Sequence, residues 1–182
     1  DKHILIAEYP WTMVGNDYYD YRKKTPIISK LNVYSGRKRK QEVLPHPGAT
    51  PIATSNGNVN FMYWHDEQDR QHSAYRKDKD SEWVNLKLAF STKQTLLPFR
   101  IDQASQKVYL SGRIGEKELH TVYQLDFIGG ELTPVFANMT SDIEYTDFDP
   151  LTGAPSIAES IPNKPTYHYV DPKDPISQIH QQ

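Results

Sequence analysis

"NVNFMYWHDEQDRQHSAYRKDKDSEWVNLK", residues 58–87, decides how this chain folds. Apolar and aromatic residues come in short runs, with charges between them. On a strand, successive side chains point to opposite faces. Phe61, Tyr63 and His65 then share one face, and Met62, Trp64 and Asp66 the other. "DEQDRQ" (66–71) reads as an exposed hairpin connection, "HSAYRKD" as the returning strand, "KDSE" as the next turn and "WVNLK" as a fourth strand. The same stretch collects acids, bases and stacking platforms: Trp64, His65, Asp66, Glu67, His72, Arg76 and Trp83. Such a set could be a catalytic constellation or the polar turns of a sheet.

Internal repetition favours the sheet. "KLNVYSGRKRKQEVL" (30–44) and "QLDFIGGELTPVF" (124–136) share one shape: an apolar residue, Asn or Asp, a turn ending in Gly, then another strand-like run. "AYRKDKDSEWVNL" (74–86) follows the same shape, and "YVDPKDP" (169–175) begins it again. With Leu31, Tyr75, Leu125 and Val170 as equivalents, the intervals are 44, 50 and 45 residues. A second series, "HILIAEY" (3–9), "VNFMYWH" (59–65), "KVYLSGR" (107–113) and "PSIAESI" (155–161), precedes the first at intervals of 55, 47 and 49. The longer first interval holds "PWTMVGNDYYDYRKKTP", read as a long hairpin connection. A third series, "ATPIATS" (49–55), "TLLPFRID" (95–102) and "DIEYTDFD" (142–149), leads into turns at Asn56-Gly57, "QASQ" (103–106) and "PLTG" (150–153). Asn-Gly between strand-like runs is a strong hairpin signal.

The repeating unit is therefore about 45 residues with four short strands, the pattern of a β-propeller blade. We expect an all-β chain, a partial β-propeller of four-stranded antiparallel blades. The units fall near 1–47, 48–92, 93–138 and 139–182, the first and last incomplete, in one domain. A sandwich or ordinary barrel is the competing architecture. No amphipathic helix of ten or more residues is expected, and Trp83 should pack between neighbouring blades. Incomplete end blades imply a piece of a longer protein, with unpaired strand edges that invite self-association.

Composition agrees. Only 37% of the 182 residues are hydrophobic and the mean hydropathy is −0.73, yet there are 12 Tyr, 6 Phe and 3 Trp. Many half-buried strands would reconcile low hydropathy with high aromatic content. The formal charge of −2 gives no basic excess for a phosphate backbone, so nucleic acid is not an expected partner. "RKRK" (37–40) follows a Ser-Gly turn and reads as a solvated strand, against a phosphate or lipid role. No apolar run approaches the ~20 residues of a membrane span. No signal-peptide pattern opens the chain, which leaves periplasm and cytoplasm both open. Cysteine is absent, excluding disulfides, zinc-thiolate sites and cysteine nucleophiles.

Two groups could carry chemistry. His65 or His72 could be a catalytic base, but neither accompanies a nucleophile motif. In "SDIEYTDFDP" (141–150), Asp142 and Glu144 share a strand face, as do Asp147 and Asp149 if the strand stays regular. Paired carboxylates suit a glycosidase or calcium, though the spacing is not that of a calcium loop, and a wet propeller channel would use them structurally. G-x-S-x-G, H-E-x-x-H, a Walker loop and G-x-G-x-x-G are all missing. "GRIGEKELH" (112–120) lacks the second phosphate-cradling glycine and reads as a hairpin connection. No catalytic residue, metal or cofactor is expected in this chain.

The ordered motifs G-N-V (57–59), Y-R-x-x-x-x-x-x-W (75–83), D-x-x-x-x-x-V-Y-L (102–110), L-D-x-x-G-G (125–130), S-D-I (141–143) and D-P-x-T-G (149–153) carry a resemblance. The chain resembles the N-terminal propeller of bacterial prolyl oligopeptidase-family serine peptidases, of the dipeptidyl-peptidase and acylaminoacyl-peptidase type. The likeness spans nearly the whole chain, most firmly 57–172. It implies a separate C-terminal α/β-hydrolase domain that carries the Ser-Asp-His triad and cleaves peptides. This chain would cover that active site, admit small peptides and shape part of the cavity. Dipeptidyl-peptidase relatives bind the substrate amine with paired glutamates. Asp66-Glu67 is the nearest pair here, departs from that pattern and does not take over the role. A stand-alone propeller that binds a protein or envelope partner is the alternative.

Overall fold

The computed structural model describes residues 2–14, 18–20, 22–54, 56–86, 96–102, 104, 106–114, 118–127, 130–136 and 139–182. Lys87 of the expected fourth strand, Gln103 and Ser105 of the "QASQ" turn and Gly129 of L-D-x-x-G-G lie outside the described residues. The chain divides into two compact units, residues 1–51 with 57–85, and 52–56 with 86–182.

In the first unit, strands β1 (His3–Glu8), β4 (Ile27–Asn32) and β5 (Lys38–Val43) form an antiparallel sheet in the order β1-β4-β5. The long connection between β1 and β4 is itself a hairpin of β2 (Thr12–Val14) and β3 (Tyr18–Asp20). A second sheet runs β6-β7-β8-β9, from β6 (Thr50–Ala53), β7 (Val59–His65), β8 (Gln71–Tyr75) and β9 (Val84–Asn85). The division between the units falls within β6. Ile28, Leu44, Ala49, Val59, Met62 and Ala74 form the core of this unit, with Leu5, Trp64 and Trp83 packed against it. Trp83 thus packs against the core cluster that both sheets contribute to.

In the second unit, β10 (Leu97–Asp102), β11 (Lys107–Gly112), β12 (Thr121–Asp126) and β13 (Leu132–Pro134) form a four-stranded meander. β14 (Ile143–Phe148), β15 (Pro155–Ser160) and β16 (Thr166–Tyr169) form the next, antiparallel throughout. Tyr109, Val122, Phe136, Ile143 and Ala158 make the core, with Phe99, Val135, Met139 and Ala154 against it. The chain is thus mostly β, in four antiparallel sheets of three or four strands, and none of these sheets closes into a barrel.

Three turns repeat one hydrogen-bond pattern and explain the Asn/Asp…Gly signature. Asn32 N–H donates to the Arg37 carbonyl and Gly36 N–H to the Asn32 carbonyl, both at 2.9 Å. Asp126 with Glu131 and Gly130 does the same, as does Asp149 with Ala154 and Gly153. The glycines have φ of 66°, 66° and 77°, where a Cβ is disfavoured. Side-chain oxygens of Asn32 and Asp149 accept the amides two and three residues on, which selects these two residue types.

Two expectations need correction. The inner strands are not half-buried. β7, β11, β12 and β15 are covered on both faces, with Phe61 and Met62, neighbours in sequence, both fully buried. Residues on both faces of such a strand are apolar, so alternation disappears. The fourth strand at "WVNLK" shrinks to Val84–Asn85. After β16, the third strand of its sheet, comes a short helix, α1 (Pro175–His180). Asp174 caps it by accepting the amides of Ile176 and Ser177, with Pro175 at the first helical position. Among the described residues no helix is long and apolar enough to cross a membrane.

Candidate functional site

The β7–β8 turn brings several sequence candidates together in the first unit. Asp66 accepts the amides of Gln68 and Arg70 at 2.9 Å, the Arg70 guanidinium at 2.7 Å and the His72 ring at 2.9 Å. An ionised carboxylate only accepts, so His72 Nε2 carries the donated proton. These contacts, led by His72, hold the Asp66 carboxyl well below the usual carboxylate range. Trp64 lies directly across the strand pair from His72, and their rings stack with centroids 5.6 Å apart. His46 stacks on the same indole at 3.9 Å, nearly parallel. Burial, and then the neighbouring His72, lowers the His46 pKa. His65 instead meets Tyr63 edge-on at 6.3 Å. With its oxygens already accepting four donors, Asp66 serves as a turn lock rather than a base. Glu67 is exposed.

Arg76 has a different setting. It is buried at 5% exposure, although Arg is seldom buried without a partner. Nε donates to the Val59 carbonyl at 2.9 Å, Nη1 to the Lys79 carbonyl at 3.0 Å and Nη2 to Glu42 at 2.7 Å. Its guanidinium lies 4.6 Å from the Trp83 ring centroid. The Y-R…W spacing is therefore a clamp: the hairpin that begins at Arg76 folds back and lays its Trp on the guanidinium. Glu42, 34 residues upstream, gives no sign in the sequence of belonging to it.

A groove of about 350 Å³ in the second unit is lined by Phe99, Val122, Ile143, Tyr145 and Phe148, with Ser111 and His120 among them. Ser111 Oγ lies 3.0 Å from His120 Nε2. This contact has the look of a nucleophile and its base, and the sequence reading did not find it. Yet Asp142 accepts the His120 backbone amide at 2.8 Å, not the ring, and its other oxygen is held by Arg113. An acid that does not touch Nδ1 cannot set the tautomer or stabilise an imidazolium as a triad acid does. Ser160 Oγ and His168 Nε2 repeat the pair at 2.8 Å. His72, His120 and His168 stand 48 residues apart in turn, and that spacing was the available signal. A contact that recurs with the fold has an architectural cause.

The acids of 142–149 do not converge. β14 has register irregularities between Ile143 and Tyr145 and between Asp147 and Phe148, so regular alternation does not hold. Asp142 joins Arg113 and His120, Asp149 closes its turn, and Asp147 accepts the exposed Tyr145 hydroxyl, whose pKa it raises. Glu144 lies on the groove wall. Among the described residues no three His, Asp or Glu side chains are grouped to hold a metal ion. No protein-family model matches the chain, and no curated protein matches it.

Proposed function

We propose that this chain is a non-catalytic β-propeller portion of a serine peptidase. In this reading each antiparallel sheet is a blade, and the blades cover the active site of a separate α/β-hydrolase domain. They restrict entry to small peptides and form part of the substrate cavity. One observation carries the proposal: consecutive antiparallel meanders of three or four strands follow one another along the chain, with equivalent histidines 48 residues apart. Such serial repetition is how propellers are built. The ordered motifs of residues 57–153 point to the peptidase family among propellers. Two of them, Y-R…W and D-P-x-T-G, correspond to built features, the Arg76–Trp83 clamp and the Asp149–Gly153 turn. Ser111–His120 lacks a ring-orienting acid, which favours a catalytic centre elsewhere.

The test is the parent gene downstream of this segment. A G-x-S-x-G followed by Asp and His within about 250 residues supports the proposal. An open reading frame that ends without them overturns it and leaves the stand-alone binding propeller.

A further inference from the structure

The first unit contains a cationic cleft that neither the turn locks nor the peptidase reading uses. Between its two sheets lies a hollow of about 270 Å³ with Leu5, Ile28 and Val59 as apolar wall, and Lys30, Arg76 and Lys79 as cations. A second hollow, of about 610 Å³, shares Lys30 and adds Arg37, Lys38 and Arg39. Among the described residues Glu42 is the one carboxylate lining either, and Arg76 holds it. Glu8, on the opposite face of the sheet, takes Lys38. Among the described residues Lys30, Arg37, Arg39 and Lys79 make no ion pair. Asp78, beside Lys79, turns instead to Ser81 and the Asp80 amide. Four uncompensated cations therefore line adjoining hollows in a chain whose net charge is −2.

The repeat shows that this is not what the architecture requires. Lys30 and Arg39 are direct cross-strand partners, two and seven residues either side of the Asn32 turn residue. At the matching places around Asp126 stand Gln124 and Thr133, also direct partners, and Gln124 Nε2 donates to Thr133 Oγ1 at 3.1 Å. Where one sheet has a neutral hydrogen-bonded pair, the other sets two like charges face to face, an arrangement that destabilises a sheet unless an anion lies between them. The Arg76 clamp fixes the inner wall of the smaller hollow, and the four cations around it, Lys30, Arg37, Arg39 and Lys79, are exposed.

We propose that this cleft binds a small multivalent anion bearing phosphate or carboxylate groups, held by Lys30, Arg39, Arg37 and Lys79. The assignment is independent of the peptidase reading. It can be tested by titrating inorganic pyrophosphate and, separately, citrate into the chain, followed by calorimetry and by amide chemical shifts in β4 and β5. The expected result is saturable binding of at least one probe that weakens as salt is raised. Pyrophosphate alone assigns phosphate; citrate alone assigns carboxylate. Lys30→Ser with Arg39→Ser should weaken binding at least tenfold, whereas Lys164→Ser with Lys173→Ser, exposed lysines of the second unit, should leave it unchanged. No saturable binding of either probe up to about 10 mM overturns the proposal, since affinity weaker than that amounts to loose charge attraction. Equal loss in both double variants also overturns it, as does binding only to vesicles containing phosphatidylserine.

Discussion

Replacing Arg76 by Ala removes the buried guanidinium that joins β5, β7 and the turn before β9. Losing Nε leaves the buried Val59 carbonyl without that donor, at about 1–3 kcal/mol. The Glu42 pair contributes less than a fully buried one, because the Glu42 side chain is 24% exposed and can take water; about 1 kcal/mol is appropriate. Stacking on Trp83 adds about 0.5–1 kcal/mol. Allowing for relaxation, Arg76→Ala should destabilise the first unit by about 3–4 kcal/mol. Arg76→Lys keeps a charge for Glu42 but loses the fork and the planar stack, and should cost about 2 kcal/mol. All three tryptophans, Trp11, Trp64 and Trp83, lie in the first unit, so intrinsic fluorescence during urea unfolding reports on that unit selectively. A double-mutant cycle with Glu42→Ala should give a coupling near 1 kcal/mol. A loss under about 1 kcal/mol for Arg76→Ala, or Lys equal to Arg at this position, would refute the clamp.

Stability should fall on the acid side in two steps. Below the ordinary imidazole value of 6.5 the unfolded chain protonates His46 before the folded one does, so stability drops as pH falls toward the lower folded value, and His46→Phe should remove that step in urea midpoints measured against pH. The Asp66 contribution is complete above its ordinary value of 3.8 and is lost as pH falls through its lower folded value; Asp66→Asn should abolish this second step. Gly153→Ala should destabilise more than Gly36→Ala. Both glycines have positive φ, about 1–2 kcal/mol against any Cβ, but a Cβ at 153 also meets the Ile101 carbonyl at 3.3 Å while 36 is open. Equal thermal shifts would contradict that ranking. Ser111→Ala and Ser160→Ala should each cost about 1 kcal/mol, and a fluorophosphonate probe should label neither serine. Selective labelling of Ser111 would overturn the architectural reading.

Much of this was legible because turns have chemical signatures. Asn32, Asp126 and Asp149 each close a loop on a glycine four residues later, a local event that needs nothing from the rest of the chain. The strands between them followed from runs of Val, Ile, Tyr and Phe. What could not be read was long-range. Glu42 reaches Arg76 across 34 residues, and His46 meets Trp64 across two turns. The double burial of β7, β11, β12 and β15 was hidden as well, since alternation is visible only where one face meets water. The arrangement of the acids of 141–150 was hidden for a related reason: strand alternation holds only where the register is regular, and β14 has two irregularities.

The repeat itself separates architecture from function. A side chain that recurs at equivalent places answers a demand of the fold, and Ser111–His120 and Ser160–His168 recur. A side chain that breaks the repeat at a cost to stability calls for another explanation. The apparent catalytic cluster of 65–72 largely resolves into a turn lock, because Asp66 satisfies backbone amides as well as His72 and Arg70. Lys30 and Arg39 behave oppositely. They stand where Gln124 and Thr133 show that a neutral pair fits, they repel one another, and no described acid relieves them. The run "RKRK", which in one dimension reads as a solvated strand, thus divides: Lys38 pairs with Glu8, while Arg37 and Arg39, lining the same hollow with Lys30, have no ion pair among the described residues. Strand alternation puts Lys38, opposite Leu31, and Arg39, opposite Lys30, on different faces, and the uncompensated side is where a ligand has the most to contribute.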